Sequence, residues 1–303
     1  MDLFLTCASP RFQAERKALA AGRGSHAYLL EGPAGIGKSS FALAAACTLL
    51  CAGEQKPCFA CAACRRVLDG LHPDVHSIKP EKNMLKVDQI REVISTVYET
   101  PYEGGAKIYV IHGFHLANEQ AQNALLKTLE EPPASVVFFL LAENSLQLLP
   151  TVRSRCRKIR LTGYPEAQIL RQLARLFPQN SRNEYAAREC GGNIGTAVGL
   201  VEDEELIRLH VLAGELISGM DGGCTVPQVA VVLEKEKDTF LPLIQILQQK
   251  LFEKLQHTAD VLTLERMKAL ENAAAAKKKN INSGLIIEEL AYALVKGGIK
   301  WKR

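Results

Sequence analysis

The chain has 303 residues, of which 47% are hydrophobic and 23% charged, and its net charge is +4. This length allows two or three domains, and this hydrophobic fraction excludes a largely disordered protein. The charge is too small to indicate nucleic-acid binding by itself. No apolar run is long enough to cross a bilayer, and the first seven residues lack the features of a signal peptide, which predicts a cytoplasmic protein.

Short apolar or alternating segments predict β-strands, and helical segments separate them. The predicted strands, in chain order, cover residues 27–30, 74–79, 107–111, 136–141 and 157–161. Composition and apolar spacing predict helices at residues 38–50, 87–98 and 118–131. Strands that alternate with helices in this way indicate a parallel α/β sheet.

The second half of the chain shows a helical pattern from Pro165 onward, with Gly-rich turns at 191–193 and 219–223. These turns predict a first domain at residues 1–162, a small helical domain at 163–203 and a second helical domain at 204–303. The charged run at residues 277–280 is predicted to be a solvated loop between two helices rather than a specific binding patch.

A phosphate-binding pattern, G-x-x-x-x-G-K-[ST], occupies residues 32–39, between a predicted strand and a predicted helix. Backbone N–H groups and the helix N-terminus would bind phosphate oxygens, Lys38 would reach the β- and γ-phosphates, and Ser39 would hold Mg²⁺. ATP and Mg²⁺ are therefore candidate ligands, and a chance Gly-rich turn is the alternative. The predicted nucleotide-binding residues are Gly32, Pro33, Ala34, Gly35, Ile36, Gly37, Lys38, Ser39 and Ser40.

The acidic residue that P-loop hydrolysis needs is missing from its expected place. Such enzymes hold Mg²⁺ with an acid at the end of a later strand. Here the strand at 107–111 is followed by His112 and Gly113, and no Asp or Glu occurs between Glu103 and Glu119. The site is therefore expected to bind nucleotide but to hydrolyse it poorly. A carboxylate from a neighbouring strand end could replace the missing acid, and the candidates are Glu31 and Glu143.

Four of the nine cysteines follow the spacing C-x6-C-x2-C-x2-C, at Cys51, Cys58, Cys61 and Cys64. Four thiolates suit tetrahedral Zn²⁺, and a ligand set completed by protein indicates a structural site. The alternatives are an iron–sulfur cluster, a redox pair or four unrelated thiols. The remaining cysteines are predicted to be small buried hydrophobes. They are Cys7, Cys47, Cys156, Cys190 and Cys224.

Two further segments resemble signatures of bacterial clamp-loader subunits, which are AAA+ proteins. They are residues 123–133, Asn-Ala-Leu-Leu-Lys-Thr-Leu-Glu-Glu-Pro-Pro, and residues 149–156, Leu-Pro-Thr-Val-Arg-Ser-Arg-Cys. Residues 26–29 and the cysteine cluster also match that family, and the resemblance covers about the first 200 residues. It implies a P-loop AAA+ domain with a zinc module at 51–64. A helical lid domain at 163–203 and an all-α collar (oligomerisation) domain at 204–303 would follow.

Within that family, three departures favour the stationary delta-prime class over the tau/gamma class, which is the ATPase motor. The motor class has Asp-Glu where this chain has His112 and Gly113. It carries a nucleotide-sensing arginine in its lid where this chain has Gly195, and its longer form has a tail that this chain, ending at Arg303, does not show. The resemblance therefore implies a DNA polymerase III subunit with little or no ATPase turnover of its own.

The same resemblance implies that Arg155 is an arginine finger, which would enter the ATP site of a neighbouring motor subunit. Spacing alone would favour a surface arginine in an ion pair. Arg153 and Arg157 are weaker candidates for the finger, and Asn144 lies near the family's sensor position. The implied partners are tau/gamma and delta subunits in a hetero-pentamer and, through that complex, the sliding clamp and the primed DNA onto which the clamp is loaded.

Other functions stay open on the sequence. A self-sufficient P-loop enzyme, either a tau/gamma-like ATPase or a small-molecule phosphotransferase, would turn over Mg-ATP without partners. The cysteine module could also bind nucleic acid directly. Residues 53–57 offer only one lysine and one acid, which is little electrostatic support for such binding.

Overall fold

The computed structural model describes residues 3–103, 105–258, 260–279 and 281–296. The chain divides into two compact units, residues 1–187 with 192–197 and residues 188–191 with 198–303. The division into three domains, with a lid and a collar, stays a prediction. No helix in the described part of the chain is both long and apolar enough to cross a membrane.

The strands and helices follow one another much as the sequence predicts. The strands are β1 (Ala27–Glu31), β2 (Val75–Ile78), β3 (Lys107–Ile111), β4 (Val136–Ala142) and β5 (Arg157–Arg160). The helices of the first half are α1 (Phe4–Ala8), α2 (Pro10–Ala20), α3 (Lys38–Leu50), α4 (Ala62–Leu68), α5 (Val87–Val97), α6 (Glu119–Glu130) and α7 (Pro150–Arg155). Later helices are α8 (Glu166–Leu176), α9 (Asn183–Glu189), α10 (Ile194–Glu202), α11 (Glu204–Asp221), α12 (Val226–Lys235), α13 (Phe240–His257), α14 (Val261–Lys278) and α15 (Ser283–Lys296).

The predicted parallel α/β sheet is confirmed, with strand order β2-β3-β4-β1-β5 and every pairing parallel. Alternate residues of β1, β3 and β4 enter two different cores. In β1, Tyr28 and Leu30 join the core on one face, whereas Ala27 and Leu29 join the core on the other. Burial on both faces explains why the central strands β1, β3 and β4 are largely apolar, and it places helices on both sides of the sheet.

The second unit is helical, and its apolar core draws on α11 to α15. A buried cation, Arg266 of α14, lies inside it. Its Nε donates to Leu294 O at 2.7 Å, and its Nη1 donates to Asp221 Oδ1 at 2.9 Å. The guanidinium therefore joins α14 to the end of α15 and to the last residue of α11, and its burial is compensated by these partners.

The loop predicted at residues 277–280 is wrong in its first part. Helix α14 continues through Lys278, and Lys279 is its C-cap. Alanines precede the lysines, and both residue types favour a helix, so the helix propagates into the charged run. Lys277 Nζ also donates to Ser283 Oγ at 2.7 Å. Asn280 lies outside the described residues.

Candidate functional site

The phosphate loop connects β1 to α3 at the carboxyl end of the sheet, between β4 and β5. Gly37 is the N-cap of α3 and has a left-handed φ of 102°, which glycine adopts without strain. Lys38 Nζ donates to the backbone oxygens of Gly32 at 2.6 Å and Pro33 at 2.8 Å. Burial lowers the pKa of Lys38, and the charge of Glu143 acts in the opposite direction. The loop therefore has the strand–loop–helix setting that phosphate binding requires, and the roles of its residues stay predictions.

The turn at residues 193–195 packs against the phosphate loop. Asn193 Nδ2 donates to Ala34 O at 2.7 Å, and Gly195 N donates to Gly35 O at 3.0 Å. A Cβ on Gly195 would lie 2.6 Å from Gly35 Cα, so the two backbones are in direct contact. Position 195, where the resemblance implies a sensing arginine in the motor class, thus has no room for a side chain in this arrangement.

Replacing Gly195 with alanine should destabilise the first unit by about 1–3 kcal/mol, because the new methyl group overlaps the backbone of the phosphate loop. Gly214 is the matched control, since a Cβ there meets nothing within 4 Å. Gly214→Ala lies inside helix α11 and should stabilise the protein by about 1 kcal/mol or less. Denaturant melts of the two variants measure both effects. Equal stability of the two variants would contradict the backbone contact.

An imidazole occupies the place expected for the metal-binding acid. His112 directly follows β3, and its Nδ1 lies 3.4 Å from Ser39 Oγ. Its Nε2 lies 3.1 Å from Ser77 Oγ at the edge strand β2. Burial, followed by the charges of Lys79 and Lys38, lowers the pKa of His112. The ring is therefore neutral at physiological pH and bridges two serine hydroxyls.

Glu31 and Glu143, the two candidates to replace that acid, differ in burial and in their partners. Glu31 forms an ion pair with Lys158, with 2.6 Å between Oε2 and Nζ, and its Oε1 accepts hydrogen bonds from Ser145. Burial raises the pKa of Glu31, but these donors outweigh it and the net shift is downward. Glu143 is exposed and acts electrostatically on Lys38. Mg²⁺ prefers carboxylate and phosphate oxygens, and Ser39 instead contacts a nitrogen, so the side chains around Ser39 do not fit a magnesium site.

The four clustered cysteines come together at the end of α3 and the start of α4. Cys51 is the C-cap of α3, and Cys61 is the N-cap of α4. The sulfur atoms of Cys51, Cys58, Cys61 and Cys64 all lie within 4.8 Å of one another. Sulfurs bound to a tetrahedral zinc at about 2.3 Å are about 3.8 Å apart. The cluster therefore fits a structural zinc ion with only small side-chain adjustments.

Backbone N–H groups point at these sulfurs, which favours thiolates. Cys58 N donates to Cys51 Sγ at 3.3 Å, Cys61 N to Cys58 Sγ at 3.3 Å and Cys64 N to Cys61 Sγ at 3.5 Å. The donation from Cys64 N is the main reason that the pKa of Cys61 is lowered to about 6. Burial instead raises the pKa of Cys64. Thiolate is the form of cysteine that binds metals. These hydrogen bonds therefore favour binding of a soft cation by the cysteine segment.

Two arginines tie the cysteine segment to the rest of the first unit. Arg16 of α2 donates to Lys56 O at 3.1 Å. Arg66 of α4 makes a forked ion pair with Glu103, with 2.5 Å between Nη2 and Oε2. The buried His72 lies 3.6 Å from the same carboxylate. The module is thus attached to α2 and to the loop after α5.

The other cysteines match their prediction in part. Cys47, Cys156 and Cys190 are buried, whereas Cys7 and Cys224 are only half-buried. Cys47 Sγ lies 3.8 Å from the backbone oxygen of Cys64, and burial raises the pKa of Cys47 to about 12. Cys47 therefore behaves as a packed thiol beside the cluster.

Arg155 is the last residue of α7 and half-buried. Its Nη2 lies 2.5 Å from Glu130 Oε1, and its Nη1 donates to Thr151 O at 2.8 Å. Glu130 ends α6 and belongs to the segment 123–133, but its pairing with Arg155 was not predicted from the sequence. The surface ion pair that spacing alone favoured is therefore present.

The position of Arg155 relative to its own phosphate loop is set by the register of the sheet. Arg157 pairs with Tyr28 near the start of β1, whereas the loop starts at Gly32, after β1 ends. These four strand positions span about 13 Å. Arg155 precedes Arg157 and so lies at the amino end of the sheet, away from the loop of its own chain.

The weaker finger candidates differ from Arg155 in their contacts. Arg157 pairs with the buried Glu15, with 2.6 Å between Nη2 and Oε1. Arg153 Nε is buried without a hydrogen-bond partner among the described residues. The proposed sensor Asn144 is exposed, and its side-chain oxygen accepts a hydrogen bond from Leu146 N at 2.8 Å.

Comparison with known proteins identifies the family. The pattern of the family described as DNA polymerase III, delta subunit, matches residues 10–164. DNA polymerase III subunit delta' of Escherichia coli K12 is 38% identical over 219 residues, 71% of this chain and 66% of that protein. The delta' subunit of Pseudomonas aeruginosa is 40% identical over 161 residues, 51% of this chain and 48% of that protein.

One solved structure of a related protein was also compared with the chain. A DNA polymerase III gamma subunit-related protein of Thermotoga maritima superposes with a TM-score of 0.48 and 18% identity, covering 93% of this chain and 99% of that one. The chain spans about two thirds and about half of the lengths of its two curated relatives. The chain therefore belongs to the DNA polymerase III delta-subunit family, together with the delta-prime clamp-loader subunits that it matches.

Proposed function

We propose that this chain is the delta-prime stator of a bacterial clamp loader, which lends an arginine to an adjacent motor subunit while the complex loads the sliding clamp onto primed DNA. Its partners are tau/gamma and delta subunits in a hetero-pentamer. Residues 163–203 act as the lid, and residues 204–303 form the chain's part of a helical collar. Family membership and the curated delta' relatives support this proposal.

One observation carries the proposal: Arg155 lies at the amino end of the sheet, whereas the chain's own phosphate loop lies at the carboxyl end. An arginine that stabilises a γ-phosphate must contact it directly. The side chain cannot span about 13 Å to its own loop, so the phosphate that it serves belongs to a different subunit. Its half-buried position at the end of a short helix leaves part of the side chain accessible for such an intermolecular role.

The chemistry required of Arg155 is electrostatic. Its guanidinium stays charged and can bond two oxygens at once, which matches the charge that develops on a transferring phosphoryl group. In the structure, this fork is engaged by the carboxylate of Glu130. A half-exposed pair of this kind is worth about 1 kcal/mol or less, so a phosphate can displace the carboxylate on assembly.

The chain's own loop binds nucleotide but contributes little turnover, because neither His112 nor Gly113 can hold a metal as a carboxylate does. The alternative, a tau/gamma-like ATPase or a self-sufficient phosphotransferase, would need Glu143 to take over that role. Glu31 is less suited to it, because Lys158 already neutralises its charge.

Zinc has a structural role in this proposal. Cys51, Cys58, Cys61 and Cys64 would hold the ion, and four sulfur ligands leave no position for a catalytic water. The ion would fix the segment between α3 and α4, which the N–H groups that donate to Cys51 Sγ and the bond from Arg16 to Lys56 O also organise.

The proposal is tested by mixing the purified chain with tau/gamma and delta subunits and by size-exclusion chromatography of the mixture. We expect co-elution in a single complex. The isolated chain, assayed with Mg-ATP and primed DNA, should turn over well below about 1 s⁻¹. Elution of the chain by itself from the full mixture, or brisk turnover without partners, would reject the stator.

A further inference from the structure

The structure raises a question about what form of nucleotide the phosphate loop accepts. We propose that this loop binds a nucleoside di- or triphosphate as its metal-free anion, without Mg²⁺. The inference rests on the proposed nucleotide binding of the loop and deepens it. It would distinguish this site from P-loops that bind the magnesium complex.

The first observation is the contact of the serine that would ligate magnesium. Ser39 Oγ lies 3.4 Å from His112 Nδ1, and His112 Nε2 lies 3.1 Å from Ser77 Oγ. The contact shows that the residue after β3 reaches the serine of the loop, which is where a metal-binding carboxylate would act. An imidazole carries no negative charge in either protonation state. It therefore cannot compensate a divalent cation at this position.

The second observation concerns the remaining acids. The carboxylate of Glu31 forms an ion pair with Lys158 and accepts a hydrogen bond from Ser145, as described above. Glu143 acts on Lys38 and His115 through its charge, and it follows β4 rather than β3. Mg²⁺ is a hard cation that gives up its water reluctantly and is held in proteins through carboxylates together with phosphates. The contacts of Ser39 described above bring it a ring nitrogen and no carboxylate.

The third observation is a source of positive charge that can replace the cation. Lys38 and Lys79 both lie near enough to His112 to act on it electrostatically. The N-terminus of α3, a helix of 13 residues, adds a favourable dipole and free N–H groups for an anion. Lys38 within the loop and the helix terminus therefore supply positive charge for an anion without a metal.

Titration calorimetry on the full chain with ATP and with ADP, in EDTA and in excess MgCl₂, tests the inference. We expect dissociation constants in EDTA that are equal to those in MgCl₂ within about twofold, or lower. Binding that requires Mg²⁺, or that is about tenfold or more tighter with it, would overturn the inference, as would no binding in EDTA. Lys38→Ala should abolish the signal; if the signal persists, the nucleotide lies elsewhere and the inference fails.

A pair of histidine variants gives a matched comparison. His112→Asp places a carboxylate beside Ser39 and should create a preference of about tenfold or more for the magnesium complex. His115→Asp adds the same charge three residues later, where the native ring accepts a hydrogen bond from Glu143 N at 3.3 Å, and should create none. Indifference of His112→Asp to Mg²⁺ would count against the imidazole as the cause. Melting temperature and zinc content verify that each variant is folded.

These measurements use the isolated chain and do not depend on assembly. A chain that binds metal-free nucleotide but does not join tau/gamma and delta would remove the stator proposal and leave this inference intact. A chain that assembles but binds only Mg-ATP would do the reverse.

Discussion

Arg155→Ala should lower the ATP turnover of the assembled clamp loader by about tenfold or more, while the complex still elutes as one species. The basis is the magnitude of arginine fingers supplied by a neighbour, about 10³–10⁵ at the site that they serve. Other ATP sites in the complex moderate the total effect. Arg155→Lys should lose nearly as much, because an ammonium group cannot form the two parallel bonds of a guanidinium.

Arg91→Ala is the control for a lost surface arginine. Arg91 pairs with Asp88 on the exposed face of α5, at 3.1 Å. Its removal should change turnover by less than about twofold, because exposed pairs contribute little. Glu130→Gln removes the ion pair with the Arg155 guanidinium and should change turnover by less than about fivefold. Turnover of the Arg155→Ala complex that equals the Arg91→Ala value would remove the finger from the proposal.

Loss of the metal should have the largest effect on stability. The purified chain should contain one equivalent of zinc, and Cys61→Ser should lose it. Since zinc binding by small structural sites is worth many kcal/mol, even a partial loss of about 3 kcal/mol lowers the melting temperature by about 6–12 °C for a unit of this size. Stripping zinc from the native chain with a strong chelator should give the same shift.

Cys224→Ser is the matched control, because Cys224 is a half-buried cysteine of the second unit. It should retain the full zinc content and melt within a few degrees of the native chain. Zinc content is measured by atomic spectroscopy and melting by circular dichroism. Native protein that holds no zinc after purification without chelators, or iron in its place, would contradict the structural zinc site.

The parts of the fold that the sequence predicts are those encoded by one continuous segment. Each of the predicted strands is an apolar or alternating run, and the observed bounds agree within two residues. Helices α1, α2, α4 and α7 were not predicted, and α1 has only five residues. Helix α7 has six residues, α4 lies inside the cysteine segment, and α2 is rich in charged residues with little apolar periodicity.

In the candidate site, too, the features carried by one continuous segment were predicted, whereas the contacts between distant segments were not. The phosphate loop and the cysteines are contiguous motifs whose chemistry is visible in their spacing. The contact of Asn193 with Ala34 joins residues 159 positions apart, and no pattern in one sequence encodes it. The pairing of Arg155 with Glu130 likewise depends on how α6 and α7 pack. The absence of an acid after β3 was visible, but the contact between His112 and Ser39 required coordinates.

The attachment of α4 through Arg66 extends the influence of the cysteines beyond their own segment. Glu103, which Arg66 holds, follows Tyr102, and the backbone N–H groups of both residues donate to Asp74. The Tyr102 ring is 85% exposed. The cysteine segment is thus connected, through Arg66, Glu103 and Asp74, to the backbone that carries an exposed aromatic side chain. A structural metal ion would in this way influence the conformation of a surface with which it has no direct contact.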